Sequence, residues 1–171
     1  MINRKNQKGF SLIELLIVVA IILIIAAIAI PNLLRARMAA NESSAVGTLR
    51  SINTANVTYG TTYNVQFASD LTTLGGAATA AAGTVPPCTE ANLIDTTLGA
   101  SDTPTKSGYA FTYTGTNPVT PADACASVTA YTLTAAPSNL GSTGLRSFFT
   151  DQSGVIRALE GLGASATSPV L

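Results

Sequence analysis

A chain of 171 residues is long enough for one domain with a core, or one domain plus a membrane segment, and too short for two ordinary domains. Nine basic and nine acidic residues leave no net charge, so no general field draws nucleic acid, and none is expected as a partner. Histidine is absent, which removes the usual general base near neutral pH and the commonest transition-metal ligand.

The chain opens with a polar segment carrying Arg4, Lys5 and Lys8. From 10 to 34 only Glu14 is charged, and residues 15 to 30 are apolar without interruption. Bilayer hydrocarbon about 30 Å thick needs roughly 20 helical residues, so this segment is long enough to span it. It exceeds the apolar region of about 7 to 15 residues found in secretory signals, and no Ala-x-Ala site follows. The three leading cations favour a cytoplasmic N-terminus, while Arg35 and Arg37 at the far end weaken that bias. Pro31, whose ring opposes the carbonyl of Ala27, predicts a helix kink.

The junction Lys8-Gly9-Phe10-Ser11-Leu12-Ile13-Glu14, continuing through Ala20 and again at Ala29-Ile30-Pro31-Asn32, resembles the processing signature of type IV pilins and type II secretion pseudopilins. The resemblance implies cleavage between Gly9 and Phe10 by a prepilin peptidase, N-methylation of Phe10, and retention of the helix as a membrane anchor and filament core. Removing the leader takes three of the nine basic side chains and leaves a mature side-chain charge of about −3. A carboxylate at mid-bilayer costs about 2.5 to 3.5 kcal/mol on insertion scales, so Glu14 needs a partner or a shallow position. It complements the positive end of its own helix dipole. The family implies a further partner, the terminal ammonium of a neighbouring subunit; the competing role is a carboxylate that snorkels to the headgroups.

Beyond Pro31, Leu34, Met38, Ala45, Leu49, Ile52, Tyr59 and Tyr63 keep helical spacing, with Arg37, Asn41, Glu42, Ser44, Thr48 and Arg50 opposite. Residues 61 to 105 turn to Gly, Ala, Thr and Pro, which predicts a surface connection, with a short helix around Leu93-Ile94-Asp95. Alternation at Tyr109, Phe111 and Tyr113, and again around Tyr131 and Leu133, predicts half-buried strands. Ser147 to Thr150, a turn through Gly154, and Val155 to Arg157 predict a hairpin. The tail after Gly161 offers little to anchor it.

Cys88 and Cys125 form no CxxC, which excludes knuckle and thioredoxin-like readings. The extracytoplasmic placement implied by the resemblance favours a disulfide between them over two free thiols. Many type IV pilins enclose a C-terminal region with their disulfide, whereas here a long segment follows Cys125, a departure that weakens any transfer of receptor-binding or antigenic roles. Asp151 and Ser153 sit in a four-residue turn that already accounts for them, and no metal or other cofactor is assigned.

The fold expected is α+β, a long N-terminal helix packed on a small antiparallel sheet. The expected parts are a leader (1–9), a membrane and filament-core helix (10–34), an amphipathic continuation (35–63) and a head (64–171). The function expected is that of a structural filament subunit, not an enzyme, since no nucleophile, base and stabiliser are grouped. The alternatives are the major pseudopilin of a type II secretion system and, less favoured, an anchored enzyme or receptor. Its partners would be further copies of itself, the prepilin peptidase and methyltransferase, and inner-membrane assembly machinery. Before assembly it would cross the inner membrane once with its head in the periplasm; afterwards it would lie in a periplasmic pseudopilus or a surface pilus.

Overall fold

The computed structural model describes residues 10–76, 85–119 and 125–171. Its longest element is helix α1, Leu12–Tyr63, which runs through Pro31. The chain separates into two units, Met1–Ala36 and Arg37–Leu171. In the first, α1 is long and apolar enough to cross a membrane. None of its described side chains is buried; Ile22 and Ile24 are 57% and 65% exposed.

In the second unit α1 becomes a core element. Ala45, Thr48, Leu49, Ile52, Ala55, Asn56 and Tyr59 are all buried, at the three- and four-residue steps that keep one helix face turned inward. The expected stripe therefore holds from Ala45 to Tyr59, while Leu34 is exposed and Met38 and Tyr63 are only partly covered. The expected polar face needs a correction. Arg37 and Arg50 are exposed, but Glu42 and Thr48 are buried. Both lie three residues from Ala45, so helical geometry brings them to the same face whatever their polarity. The Thr48 hydroxyl turns back to the Ser44 carbonyl at 2.9 Å, which removes the cost of its burial.

Against this face lies one antiparallel sheet in the order β2-β3-β4-β5-β6. Its strands are β2 (Thr105–Lys106), β3 (Tyr109–Val119), β4 (Ser127–Pro137), β5 (Arg146–Asp151) and β6 (Arg157–Glu160). A two-residue strand β1, Phe67–Ala68, pairs with the start of β4 at Phe67↔Val128. The period-two pattern delivers Tyr109, Phe111 and Tyr113 to the core from β3, and Tyr131, Leu133 and Ala135 from β4. Tyr113 and Tyr131 stack with ring centroids 5.2 Å apart, and Phe67 meets Tyr131 edge-on at 5.0 Å. The expected hairpin occurs as β5–β6, but its second strand is Arg157–Glu160 and not Val155 to Arg157; Gly154 takes φ +73° in the turn, a value that favours glycine.

Two expectations are overturned. The Gly/Ala/Thr-rich connection is not simply a surface passage: Ala68, Leu71, Leu74, Ala91, Ile94 and Leu98 all join the core. Asp70 starts a one-turn helix α2, Leu71–Leu74, by accepting the Thr73 N–H at 2.7 Å. The chain then pairs back on α2 through Ala91 N to Thr73 O at 2.9 Å and Leu93 N to Leu74 O at 2.8 Å. Where a short helix was expected around Leu93 to Asp95, bends and turns occur, with Asp95 capping the amides of Thr97 and Leu98. Gly75 and Gly99 pass so closely that a Cβ on either would overlap the other's backbone. The C-terminal tail is also anchored. Ala158 N donates to Pro169 O at 2.9 Å, Leu171 N to Ile156 O at 3.0 Å, and Arg157 Nη1 to Ser168 O at 3.0 Å. Once these bonds cover the outer edge of β6, the tail completes the sheet.

Candidate functional site

Residues 1–9, the expected leader, with Gly9 of the expected cleavage junction, lie outside the described residues. Description of the N-terminus therefore begins at Phe10, which is 77% exposed. The next residues build the start of α1. Ser11 stands at the N-cap, and its hydroxyl accepts the Ile13 N–H at 3.4 Å. Glu14, the third residue of the helix, reaches back with Oε2 to the Ser11 N–H at 2.9 Å. This is a capping box, in which a hydroxyl and a carboxylate three residues apart satisfy amides that the first helical turn leaves without partners. Glu14 therefore has a local role besides the one implied by the resemblance. The S-x-x-E spacing that signals it is present in the sequence but was not among the expectations drawn from it.

Cys88 and Cys125 are joined in a disulfide spanning 37 residues. Two tyrosines from the end of α1 hold this region: Tyr59 Oη donates to the Cys88 carbonyl at 3.1 Å, and Tyr63 Oη to the Pro86 carbonyl at 2.8 Å. The bridge thus ties the connection to the approach of β4, beside the helix that carries the core. Asp151 uses its carboxylate within its own turn, accepting the Ser153 N–H at 2.9 Å.

A second polar junction was not expected from sequence. Glu42 on α1 accepts the amides of Leu145 at 2.9 Å and Arg146 at 3.2 Å, and its other oxygen takes the Arg146 guanidinium through Nε and Nη2, each at 2.8 Å. Burial pushes the Glu42 carboxyl up, but these four donors outweigh it and hold it below the usual carboxylate range. Next to it, Asn41 Nδ2 donates to the Thr143 carbonyl at 2.9 Å. Burial and the nearby Glu42 push Tyr109 up to about 12, so its hydroxyl stays protonated and donates to the Arg146 carbonyl at 2.8 Å. Deeper in the core, Asn56 Oδ1 accepts the Tyr113 hydroxyl at 3.2 Å and the Ala68 N–H at 3.2 Å, linking α1, β3 and β1. No sequence pattern signals these partners, because they lie from 12 to 104 residues away.

The junctions described hold the fold together, and comparison with known proteins bears on the N-terminal segment. Residues 4–30 match the prokaryotic N-terminal methylation motif. Over 39 residues, 23% of its length, the chain is 67% identical to the type IV wide pilus major component PilA4 of Thermus thermophilus, covering 30% of that protein. Over 57 residues, 33% of its length, it is 47% identical to the type IV major pilin protein PilA of Myxococcus xanthus, covering 26% of it. The chain thus spans less than a third of each of these relatives. No solved structure matches it. In its N-terminal segment, which opens the long helix α1, the chain is similar to type IV pilins.

Proposed function

We propose that the protein is a structural subunit of a type IV pilus, anchored by α1 before assembly and packed through α1 afterwards. The observation that carries this reading is the first unit itself: an apolar helix with no buried side chain, opening on the methylation motif and on Glu14. A soluble fold does not leave so long an apolar helix uncovered, so lipid or other subunits must cover it. The relatives favour a pilus over a secretion pseudopilus, since both are named as pilus components.

In this reading a prepilin peptidase cuts between Gly9 and Phe10, and the new amine on Phe10 is methylated. The head faces the periplasm, and assembly machinery in the inner membrane extracts the subunit. Glu14 then pairs with the terminal ammonium of a neighbouring subunit in the water-poor filament core. Methylation leaves that ammonium charged.

Two measurements test the proposal. Intact-mass and N-terminal analysis of assembled material should give N-methylated Phe10 as the first residue; recovery of Met1 would refute the processing step. The second compares filament yield, cleavage and membrane abundance for wild type, Glu14→Gln and Glu14→Ala. Glutamine keeps the capping-box geometry and loses the charge, whereas alanine loses both. If charge pairing drives assembly, both variants should be cleaved and accumulate in the membrane yet yield few filaments, because an unpaired ammonium is left in the core. Normal filaments from Glu14→Gln beside defective ones from Glu14→Ala would show that the helix cap alone matters.

A further inference from the structure

The described exposed apolar side chains of the second unit are not evenly spread. Val57, Val85, Val119 and Val170 are scattered valines, and Leu171 is the C-terminus. The remaining three are leucines, Leu140, Leu145 and Leu162, exposed by 51%, 46% and 58%. Their backbones are neighbours: Leu140 bridges to Gly144, beside Leu145, and the Leu145 carbonyl accepts the Gly161 N–H at 2.8 Å, beside Leu162. The cluster sits where α1 enters this unit, because Glu42 holds the Leu145 amide and Asn41 holds the Thr143 carbonyl. Arg37, the first residue of the unit, is one helical turn before Asn41.

We infer that these leucines form a rim that docks the head on the bilayer surface while the subunit is still membrane-anchored, the occupant being the phospholipid headgroup and upper acyl region. The inference rests on the anchored reading above. Three observations point to lipid. Asn41 and Glu42, which hold the loop bearing Leu140 and Leu145, follow within eight residues of the apolar segment that is long enough to span a membrane. Clustered leucines beside an arginine suit the interface, where apolar side chains enter the acyl boundary and a guanidinium reaches phosphate. The loop bearing Leu140 and Leu145 is held by the Glu42 and Asn41 bonds, so the leucines are displayed from a fixed platform rather than folded inward. Charge sets the expected lipid dependence. Glu42 pairs with Arg146 and takes up that guanidinium, so apolar insertion and not attraction to anionic lipid should dominate.

The test uses the full chain, with methyl-labelled leucine and valine, at one copy per nanodisc. The discs are phosphatidylcholine, with or without phosphatidylglycerol, and are doped with a gadolinium-chelating headgroup lipid. The expected result is selective loss of methyl intensity at Leu140, Leu145 and Leu162 in both lipid mixtures. Val119 should be spared: it is at the far end of β3 from Tyr109, whose hydroxyl reaches the Arg146 carbonyl beside the rim. Leu145→Ser should reduce the loss at the other two leucines. Retention of the chain in the disc with all three leucine signals unchanged, or changed no more than Val119, overturns the rim and leaves the anchored reading standing. Leucine perturbation that arises only with two copies per disc, independent of gadolinium, assigns the surface to a second subunit and also overturns it. Failure of the chain to enter discs overturns the anchored reading together with the rim.

Discussion

The two stretches of α1 on either side of the Ala36/Arg37 boundary invert the usual relation between apolarity and burial. Before the boundary nearly every residue is aliphatic and none is buried; after it the helix is richer in Ser, Thr, Asn and Gly, and eight residues are buried. Ile22 and Ile52 make the comparison at constant chemistry, one 57% exposed and the other fully buried. Composition alone therefore does not predict where this helix finds its partners. In the second stretch the partner is the chain's own sheet, and the small side chains let that sheet approach. In the first, none of the described apolar side chains is buried, and in the proposed reading lipid or other subunits supply the cover.

The comparison is sharpened first by breaking the head without touching the anchor. Replacing Cys88 and Cys125 together by serine opens a 37-residue loop and should lower the unfolding free energy of the head by about 4 kcal/mol in the chain-entropy model. Denaturant unfolding of the full chain in detergent, followed by tyrosine fluorescence, measures it. An unchanged midpoint would mean that the tyrosine bonds and the pairing of Ala91 and Leu93 on α2 hold the connection without the bridge. The next effect is the direct contrast. Ile52→Ala empties a fully buried site and should cost about 2 to 5 kcal/mol. Ile22→Ala, at an exposed site outside the core of the second unit, should change head stability by less than about 0.5 kcal/mol. Equal losses from the two would contradict the division of α1 drawn here.

Much of this architecture was legible in the sequence because its signals are local. The apolar run, the three- and four-residue spacing from Ala45 to Tyr59, the alternation in β3 and β4, and the turn at Gly154 all announce themselves within a few residues. The similarity to type IV pilins and the disulfide partners were also legible, the first from a specific motif and the second because only two cysteines exist. What stayed hidden depends on distant partners. Leu71 and Leu74 are core residues only because Ala91 and Leu93 pair back on their turn, and the tail is ordered only because β6 leaves an edge for it. Polarity also misled. Glu42 reads as a solvated charge until its partners appear from the other end of the chain. At the candidate site the reverse applies: the Ser11 and Glu14 spacing is local, and the cap it forms could have been read directly.

Glu42 gives the last of the expected stability losses, and one with a pH signature. Its carboxylate accepts two backbone amides and a guanidinium with little exposure, so Glu42→Gln should cost about 2 kcal/mol near neutral pH, mostly from charge-assisted bonds weakened to neutral ones. The glutamine amide also places a donor where only donors point, which prevents full compensation. The sign of the pH dependence follows from the direction of the shift. In the folded head the Glu42 carboxyl lies below its ordinary value of 4.5, so its contribution is complete above that value and is lost as pH falls through the lower folded value. Asp70 behaves in the same sense: burial raises it, but bonds from Ser69, Thr72 and Thr73 bring it below its ordinary 3.8. Acidification should therefore destabilise the wild-type head, and Glu42→Gln should flatten the part of the curve just below pH 4.5 while the Asp70 part remains. Urea midpoints of both proteins between neutral pH and the acid limb measure this directly. Parallel curves, with the variant merely offset, would mean that Glu42 titrates alike in the folded and unfolded chain and that its four donors act by shape rather than by charge.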